Sequence, residues 1–516
     1  MNATPSWFWA AVCGSALVYA CSDDSTTSKP APDSGGALTD TSMESSAAGG
    51  GGATGEAGRD SSTDSQTGAE TGVLPDTGAD AAPIPRYADL EVPYPTGNPH
   101  TDDKATLGKM LFWEEAMSGN GTVACGSCHR GNAGGSDPRA SDDRSFLPGP
   151  DDEIGTEDDI HGGRGTRRCI DTQNIADAGV LRQVTGRKPP TYIDAMWAAN
   201  IFWDGRATSV FKDPTMDPED PGSIVLTEFA ALESQAVGPP TSPVEMSCEG
   251  DDWDTITTRL ATVIPLDGTS GSGDDIKQLI ADYGNSYPAL FAAVFGEVTP
   301  GADAGDAGAG EITAVRIAMA IATHERRLKS DQTPFDLWVD GIDVPSNEGG
   351  MDAQRVRGWE LFSGKAKCTT CHTLPTFSDN LFHYIGFHHT SWDEAPNGMS
   401  GREVVTELPA DRGKLKTPTL RNVTLRVAGG LLSRGAGAGV SLEEIMAVYN
   451  TGGLEDLIPA DQAIVSTDIV ALDLTDEEIT DIIKFMDALT DPRVAATPEL
   501  APFDHPTLVK SETENQ

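Results

Sequence analysis

Apolar residues recur at three- and four-residue intervals along five stretches of this chain, while strict apolar–polar alternation is scarce. Thr106–Met117 reads as a short helix. Glu311–Ser330, rich in Ala, Ile and Met and closing on the basic run Arg326-Arg327-Leu328-Lys329, is the clearest one. Met351–Ser363, Ser441–Tyr449 and Thr475–Ala488 complete the set. The pattern predicts an all-α fold with long ordered loops, among them the Gly- and Asp-rich run Pro300–Gly310. Two stretches break it. Trp7–Ala20 is apolar and too short to span a bilayer, so residues 1–21 read as an export signal. Residues 22–82 hold no aromatic side chain and are mostly Ser, Gly, Ala, Thr and Asp. Such a segment cannot bury enough apolar surface to offset its ordering entropy, and it reads as a disordered tether. As a flexible coil it would reach roughly 40–45 Å. From Pro83 the large aromatics return, and the helical stretches divide into two domains, 83–345 and 346–510.

Each domain carries one copy of Cys-x-x-Cys-His: Cys125-Gly126-Ser127-Cys128-His129 and Cys368-Thr369-Thr370-Cys371-His372. This is the attachment signature of a c-type haem. Two thiols one helical turn apart can each add to a haem vinyl group, and the following imidazole is then held under the iron as its proximal ligand. A thiol-redox pair or half of a zinc site would leave both histidines unexplained. The leads are also similar: Leu107-Gly108-Lys109-Met110-Leu111-Phe112 before the first motif, Arg357-Gly358-Trp359-Glu360-Leu361-Phe362 before the second. A duplicated cytochrome c unit accounts for both.

Charge narrows the partners. The net charge is −44, of which the tether contributes −9 and the remainder −35. Acidity in the folded part argues against nucleic acid and anionic membranes and suits a basic redox partner, although a solvated acidic surface is the plainer explanation. Leu17-Val18-Tyr19-Ala20-Cys21 resembles a bacterial lipoprotein cleavage box, which would make Cys21 a lipidated membrane tether. Haem attachment of this type takes place outside the bacterial cytoplasm, so the expected location is the periplasm. There Cys169 and Cys248, the two cysteines left over, are available to pair.

Over residues 86–500 the chain resembles the bacterial di-haem cytochrome c peroxidases, which include the MauG-type enzymes. The resemblance rests on strings in family order. They are Leu107-Gly108-Lys109, the first haem motif, Phe202-Trp203-Asp204-Gly205-Arg206-Ala207, Val244-Glu245-Met246, Ala320–Ser330 and Phe335-Asp336. After the second haem motif come Phe377-Ser378-Asp379-Asn380, Thr417-Pro418-Thr419-Leu420-Arg421-Asn422-Val423 and Tyr449-Asn450. It implies two packed cytochrome c-like domains, a reactive haem on His129 and an electron-handling haem on His372. It further implies Glu245 as the distal acid–base group, since splitting peroxide requires a proton to move from one oxygen to the other. A solvated surface charge is the plainer reading of a Glu in so acidic a chain. Gln235 falls where the family places a second distal polar residue. Trp203 falls where it places a tryptophan between the haems, although a core aromatic fits the same position.

His161, in His161-Gly162, matches a displaceable sixth ligand of the reactive iron; a loop histidine is the alternative, and residues 137–160 form an insertion ahead of it. Tyr449 aligns with the sixth ligand of the second iron, with Met446 one turn earlier as the runner-up. A phenolate there would lower that haem's potential and a thioether would raise it. The family's interdomain Ca²⁺ ligands are replaced here by Lys188, Arg426 and Ala428, which puts that ion in doubt. The acidic run 151–159 is another Ca²⁺ candidate, though more readily a solvated loop. His324, His383, His388 and His389 read as structural or surface residues. The resemblance implies hydrogen peroxide as substrate and a small donor, a c-type cytochrome or cupredoxin, with a homodimer among its allowed states. A MauG-like oxidase acting on a protein or small molecule, and a non-enzymatic electron carrier, are the rivals.

Overall fold

A helix-start signal opens nearly every long helix of the computed structural model, which describes residues 83–141, 145–147, 160–167, 182–248, 250–267, 269–296, 310–386, 400–429, 441–453 and 464–508. The Thr101 side chain accepts from the Lys104 amide ahead of Asp102–Phe112, and Thr313 does the same for Ala314–Glu325 through the Arg316 amide. Asp352 caps Ala353–Ser363, and a reciprocal Thr475–Glu478 capping box opens Asp476–Asp487. These side chains satisfy amides that have no partner inside the helix. The expected bounds of the last three helices hold to within two residues, whereas Asp102–Phe112 starts four and ends five residues before the expected Thr106–Met117, and Ala314–Glu325 ends five residues before Ser330. Three further helices, Trp253–Leu260, Asp274–Tyr283 and Tyr287–Phe295, join the first half. Strands among the described residues are two to four residues long and pair as two-stranded antiparallel ribbons. The fold is mostly helical, as the apolar pattern predicts.

The two similar leads become two similar helix crossings. In the first, Asp102–Phe112 packs against Ala314–Glu325, and a Cβ at Gly108 would collide with the Ala320 carbonyl. In the second, Ala353–Ser363 packs against Asp476–Asp487, and a Cβ at Gly358 would collide with the Asp481 carbonyl. Glycine is therefore required where the helix axes come closest. Around the first crossing lies a core that includes Leu107, Met110, Leu111, Phe112, Ile317 and Ile321. Around the second lies a core built on Phe335, Trp359, Phe362, Phe377, Ile482 and Phe485.

The chain end returns to the first core. Val494, Phe503 and Leu508 are buried in it, and Thr507–Leu508 pairs with Thr269–Ser270. All described residues belong to one unit, Thr67–Gln516. A buried polar network ties the halves together. Arg421 binds Asp336 through both guanidinium nitrogens at 2.7 and 2.8 Å and donates to the Ser330 carbonyl at 2.7 Å. Asn422 donates to Ser330 Oγ at 2.9 Å and accepts from the Asp491 amide at 2.9 Å. The export signal, the tether with Cys21, Cys169, the acidic run 151–159, all of the loop at 300–309, His388, His389 and part of 137–160 lie outside the described residues.

Candidate functional site

At the first haem motif, Cys125–Cys128 is a single helical turn. Gly126 allows that turn to lie on the Trp113 indole, where a Cβ would collide with the ring. Both thiols are free, and burial pushes both up to about 12, so they are protonated before haem attachment. His129 Nδ1 sits 3.1 Å from the Gly135 carbonyl. That contact requires the proton on Nδ1 and leaves the Nε2 lone pair for a metal. Gly134 and Gly135 adopt φ of 61° and 83°, the left-handed turn that brings the carbonyl round to the ring. Burial lowers the His129 pKa, which favours the neutral, ligating form. Phe112 and Tyr192 fix the imidazole from the sides, at centroid distances of 6.4 and 5.7 Å.

The second motif repeats the device with different parts. His372 Nδ1 lies 3.0 Å from the Phe377 carbonyl, and Phe377 takes a φ of 54° to present it. The motif opens on a cavity of about 260 Å³ lined by Cys368, Cys371, His372, Trp203, Met446 and Tyr449 among others. Paired free thiols and an imidazole with Nδ1 engaged fit a covalently attached haem at each motif, and the largely apolar wall of the cavity adds to that fit at the second. Cys371, Asp379 and His383 also bring ligand atoms within 4.8 Å of one another. Were the Cys371 sulfur taken up by a haem, an Asp379–His383 ion pair of 2.8 Å would remain beside the cavity.

Glu245 is half-buried in the turn following Ser242, with its amide bonded to the Ser242 carbonyl at 3.1 Å. Its own carbonyl accepts from the Thr166 amide at 2.7 Å, which ties it to the strand Arg164–Arg167. The neighbouring Arg164 carbonyl lies 3.1 Å from Cys128 Sγ. Burial raises the Glu245 pKa, opposed by the Arg206 charge and a bond from Ser242. Through this strand Glu245 is linked to the first haem motif. Gln235 lies half-buried in the helix Ala231–Ala236. His161 lies in the strand Ile160–His161, opposite Phe146, and its side chain falls outside the described set. Trp203 lines the second cavity; its indole N–H donates to the Lys188 carbonyl at 2.9 Å. Tyr449 and Met446 both line that cavity from the helix Leu442–Thr451.

Two residues beside the first motif carry no sequence signal. Tyr192 stands edge-on to His129 from a Pro-Pro-Thr-Tyr loop. Glu325 is buried with Oε2 unpartnered, and burial pushes its carboxyl up to about 8, so it is neutral at pH 7. Its position just before a basic run reads in the sequence as a solvated helix end. Cys248 is disulfide-bonded, and its expected partner Cys169 is outside the described residues. His324 is buried against Phe112 as a neutral core residue.

The family model for di-haem cytochrome c peroxidases matches residues 102–343. The chain is 27% identical over 411 residues to the methylamine utilization protein MauG of Methylorubrum extorquens, covering 79% of this chain and 84% of that protein. It is 28% identical over 446 residues to the cytochrome-c peroxidase IdrP1 of Denitromonas iodatirespirans, covering 81% and 89% respectively. Its fold matches the solved structure of a MauG-like protein associated with microbial copper homeostasis, with a TM-score of 0.51 at 22% identity over 83% of this chain and 98% of that one. The chain belongs to the di-haem cytochrome c peroxidase and MauG family. It is an oxidoreductase of that family, whose members carry two c-type haems.

Proposed function

We propose that this protein reduces hydrogen peroxide to water with electrons from a small external donor, a c-type cytochrome or cupredoxin. Haem iron, when bound at the two motifs, supplies the centre at which the O–O bond breaks and the route by which electrons arrive. The protein's own groups do the rest. His129 and His372, each with Nδ1 engaged by a carbonyl, would hold the two irons through Nε2. The Glu245 carboxylate moves a proton from one peroxide oxygen to the other, and the Gln235 amide orients the peroxide by hydrogen bonding. Two electrons and two protons convert one peroxide into two waters. With haem bound at both motifs, Trp203 would relay electrons from the second site toward the first, and His161 would serve as a displaceable ligand at the first. The observation that supports this reading is the half-buried Glu245, whose carbonyl is bonded to the strand Arg164–Arg167, which in turn meets Cys128 Sγ at the Arg164 carbonyl at 3.1 Å. Mixing half-reduced holoenzyme and a reduced cytochrome c with peroxide is the test. Peroxide-dependent oxidation of the cytochrome is expected, and its absence would remove the reading.

A MauG-like oxidase is the second reading, favoured by Tyr449 on the wall of the His372 cavity. Replacing Tyr449 by Phe is expected to change the absorption spectrum of the second haem and raise its potential, because a phenolate ligand favours the ferric state. Met446→Leu should leave both unaltered. The reverse outcome would make Met446 the ligand and favour the peroxidase. Export to the periplasm is part of the proposal, supported by the two attachment motifs and by the disulfide at Cys248. Lipidation at Cys21 belongs to the same proposal. Among the described residues no helix is long and apolar enough to cross a membrane.

A further inference from the structure

Between the two haem motifs the structure places two cations in contact. Lys188 and Arg426 are 7% and 8% exposed, and the Lys188 ammonium donates to the Arg426 carbonyl at 2.9 Å. The Arg426 guanidinium donates to the Arg421 carbonyl at 2.9 Å and to the Thr419 carbonyl. Lys188 also faces the other way. Its carbonyl accepts the Trp203 indole N–H at 2.9 Å. The next residue, Pro189, accepts from Ser136 Oγ at 2.7 Å in the loop that carries Gly135, the carbonyl partner of His129. Arg426 touches the same loop, since a Cβ at Gly134 would come within 2.8 Å of Arg426 Cγ. Lys188 and Arg426 both line the second cavity. One pair of residues thus joins the His129 loop, Trp203 and the His372 cavity.

A calcium ion does not fit this place. It needs six to eight oxygen ligands at about 2.3–2.6 Å, chiefly carboxylates and carbonyls. The carbonyls of Arg426, Arg421 and Thr419 each already accept an N–H from Lys188 or Arg426. A divalent cation would also meet two like charges at close range in a medium of low polarisability. Burial and the Arg426 charge already bring Lys188 down to about 7, and burial brings Arg426 down to about 10. The opposite charges that reach them are those of Asp137 and Asp194.

We propose that the Lys188 ammonium and the Arg426 guanidinium take the place of a divalent cation as the cross-link between the two haem sites, and that Lys188 is the residue that positions Trp203. The cross-link is covalently part of the chain and needs no free metal. This inference rests on the two haem motifs and, for Lys188, on the proposed passage of electrons through Trp203; it holds whether the reaction is peroxide reduction or substrate oxidation.

The test uses the haem-loaded holoenzyme. After exhaustive EGTA treatment, the half-reduced absorption spectrum, both haem potentials and the thermal midpoint are expected to be unchanged. Adding millimolar Ca²⁺ should shift none of them, and elemental analysis of untreated protein should find calcium below stoichiometry. Stoichiometric calcium, or a spectral change on chelation that Ca²⁺ reverses, would overturn the proposal. Lys188→Met is expected to slow electron transfer between the haems by about tenfold to a hundredfold, the cost of a small displacement of a positioned group. Lys188→Arg, which keeps the N–H donor, should recover most of that rate. Equal rates for wild type and Lys188→Met would overturn the positioning role. Were Lys188→Met to fail to fold, the chelation experiment on wild type decides alone.

Discussion

Replacing Glu245 by Gln is expected to lower peroxide turnover by about 10²- to 10⁴-fold, the usual worth of a positioned general acid–base group. Both haems should remain attached. The substitution keeps the shape and hydrogen-bonding length of the side chain and removes only its capacity to accept a proton. Burial raises the Glu245 pKa and the Arg206 charge partly opposes this, so the proton-accepting carboxylate forms at higher pH than on a surface glutamate. Turnover should therefore rise with pH along an acid limb lying above the ordinary glutamate value of about 4.3. In the Gln variant that limb should vanish. Arg206→Gln gives an independent check of sign. Removing the nearby cation favours the neutral carboxyl, so the limb should move to still higher pH. Steady-state assays across pH, with haem content measured in parallel, read all three results. Unchanged turnover in Glu245→Gln would exclude the assigned role, and a parallel loss of haem would show that the residue is structural.

What the sequence displays of this site is what depends on local spacing. Cys-x-x-Cys-His is one turn of chain, and it gives both thiols and the proximal imidazole without reference to anything distant. The glycines of the two leads are similarly local, and the structure gives the reason for them: Gly108 and Gly358 stand at the two helix crossings. The bounds of the last three long helices are legible from apolar spacing, whereas that spacing places Asp102–Phe112 too late because its polar first turn, Asp102-Asp103-Lys104, precedes the apolar positions. Trp253–Leu260 escaped because only Trp253, Ile256 and Leu260 are buried, among five residues that are charged or β-branched. No local pattern announces that Phe503 and Leu508 return to the first core, since their partners lie hundreds of positions earlier. Tyr192 and Glu325 were hidden for the same reason. Lys188 and Arg426 were visible as departures from a pattern, but a departure says what is missing. Their hydrogen bonds say what has taken its place.

Arg421→Met is expected to cost about 3–5 kcal/mol, the penalty for removing one partner of a buried ion pair. Arg421 is 1% exposed and makes five hydrogen bonds to four oxygens: both Asp336 carboxylate oxygens, the Ser330 carbonyl, and the Pro375 carbonyl through two nitrogens. Its plane also lies 3.9 Å from the Tyr87 ring centroid. Methionine fills part of that volume but returns no donor, so the Asp336 carboxylate is left with Thr333 Oγ1 at 2.6 Å and the Thr333 amide as its donors. Because the loss is dominated by an uncompensated charge, neutralising that charge should recover part of it. Arg421→Met combined with Asp336→Asn should therefore be more stable than the sum of the two single changes predicts. Chemical denaturation of the four holoproteins, followed by circular dichroism, measures this coupling. A single-variant loss below about 1 kcal/mol, typical of an exposed pair, would mean that the pair is open to water. A strictly additive cycle would place the cost in packing against Tyr87. Coupling of the expected sign would make the Leu420-Arg421-Asn422 segment the electrostatic keystone that holds Ser330, at the end of the first half, against the second core.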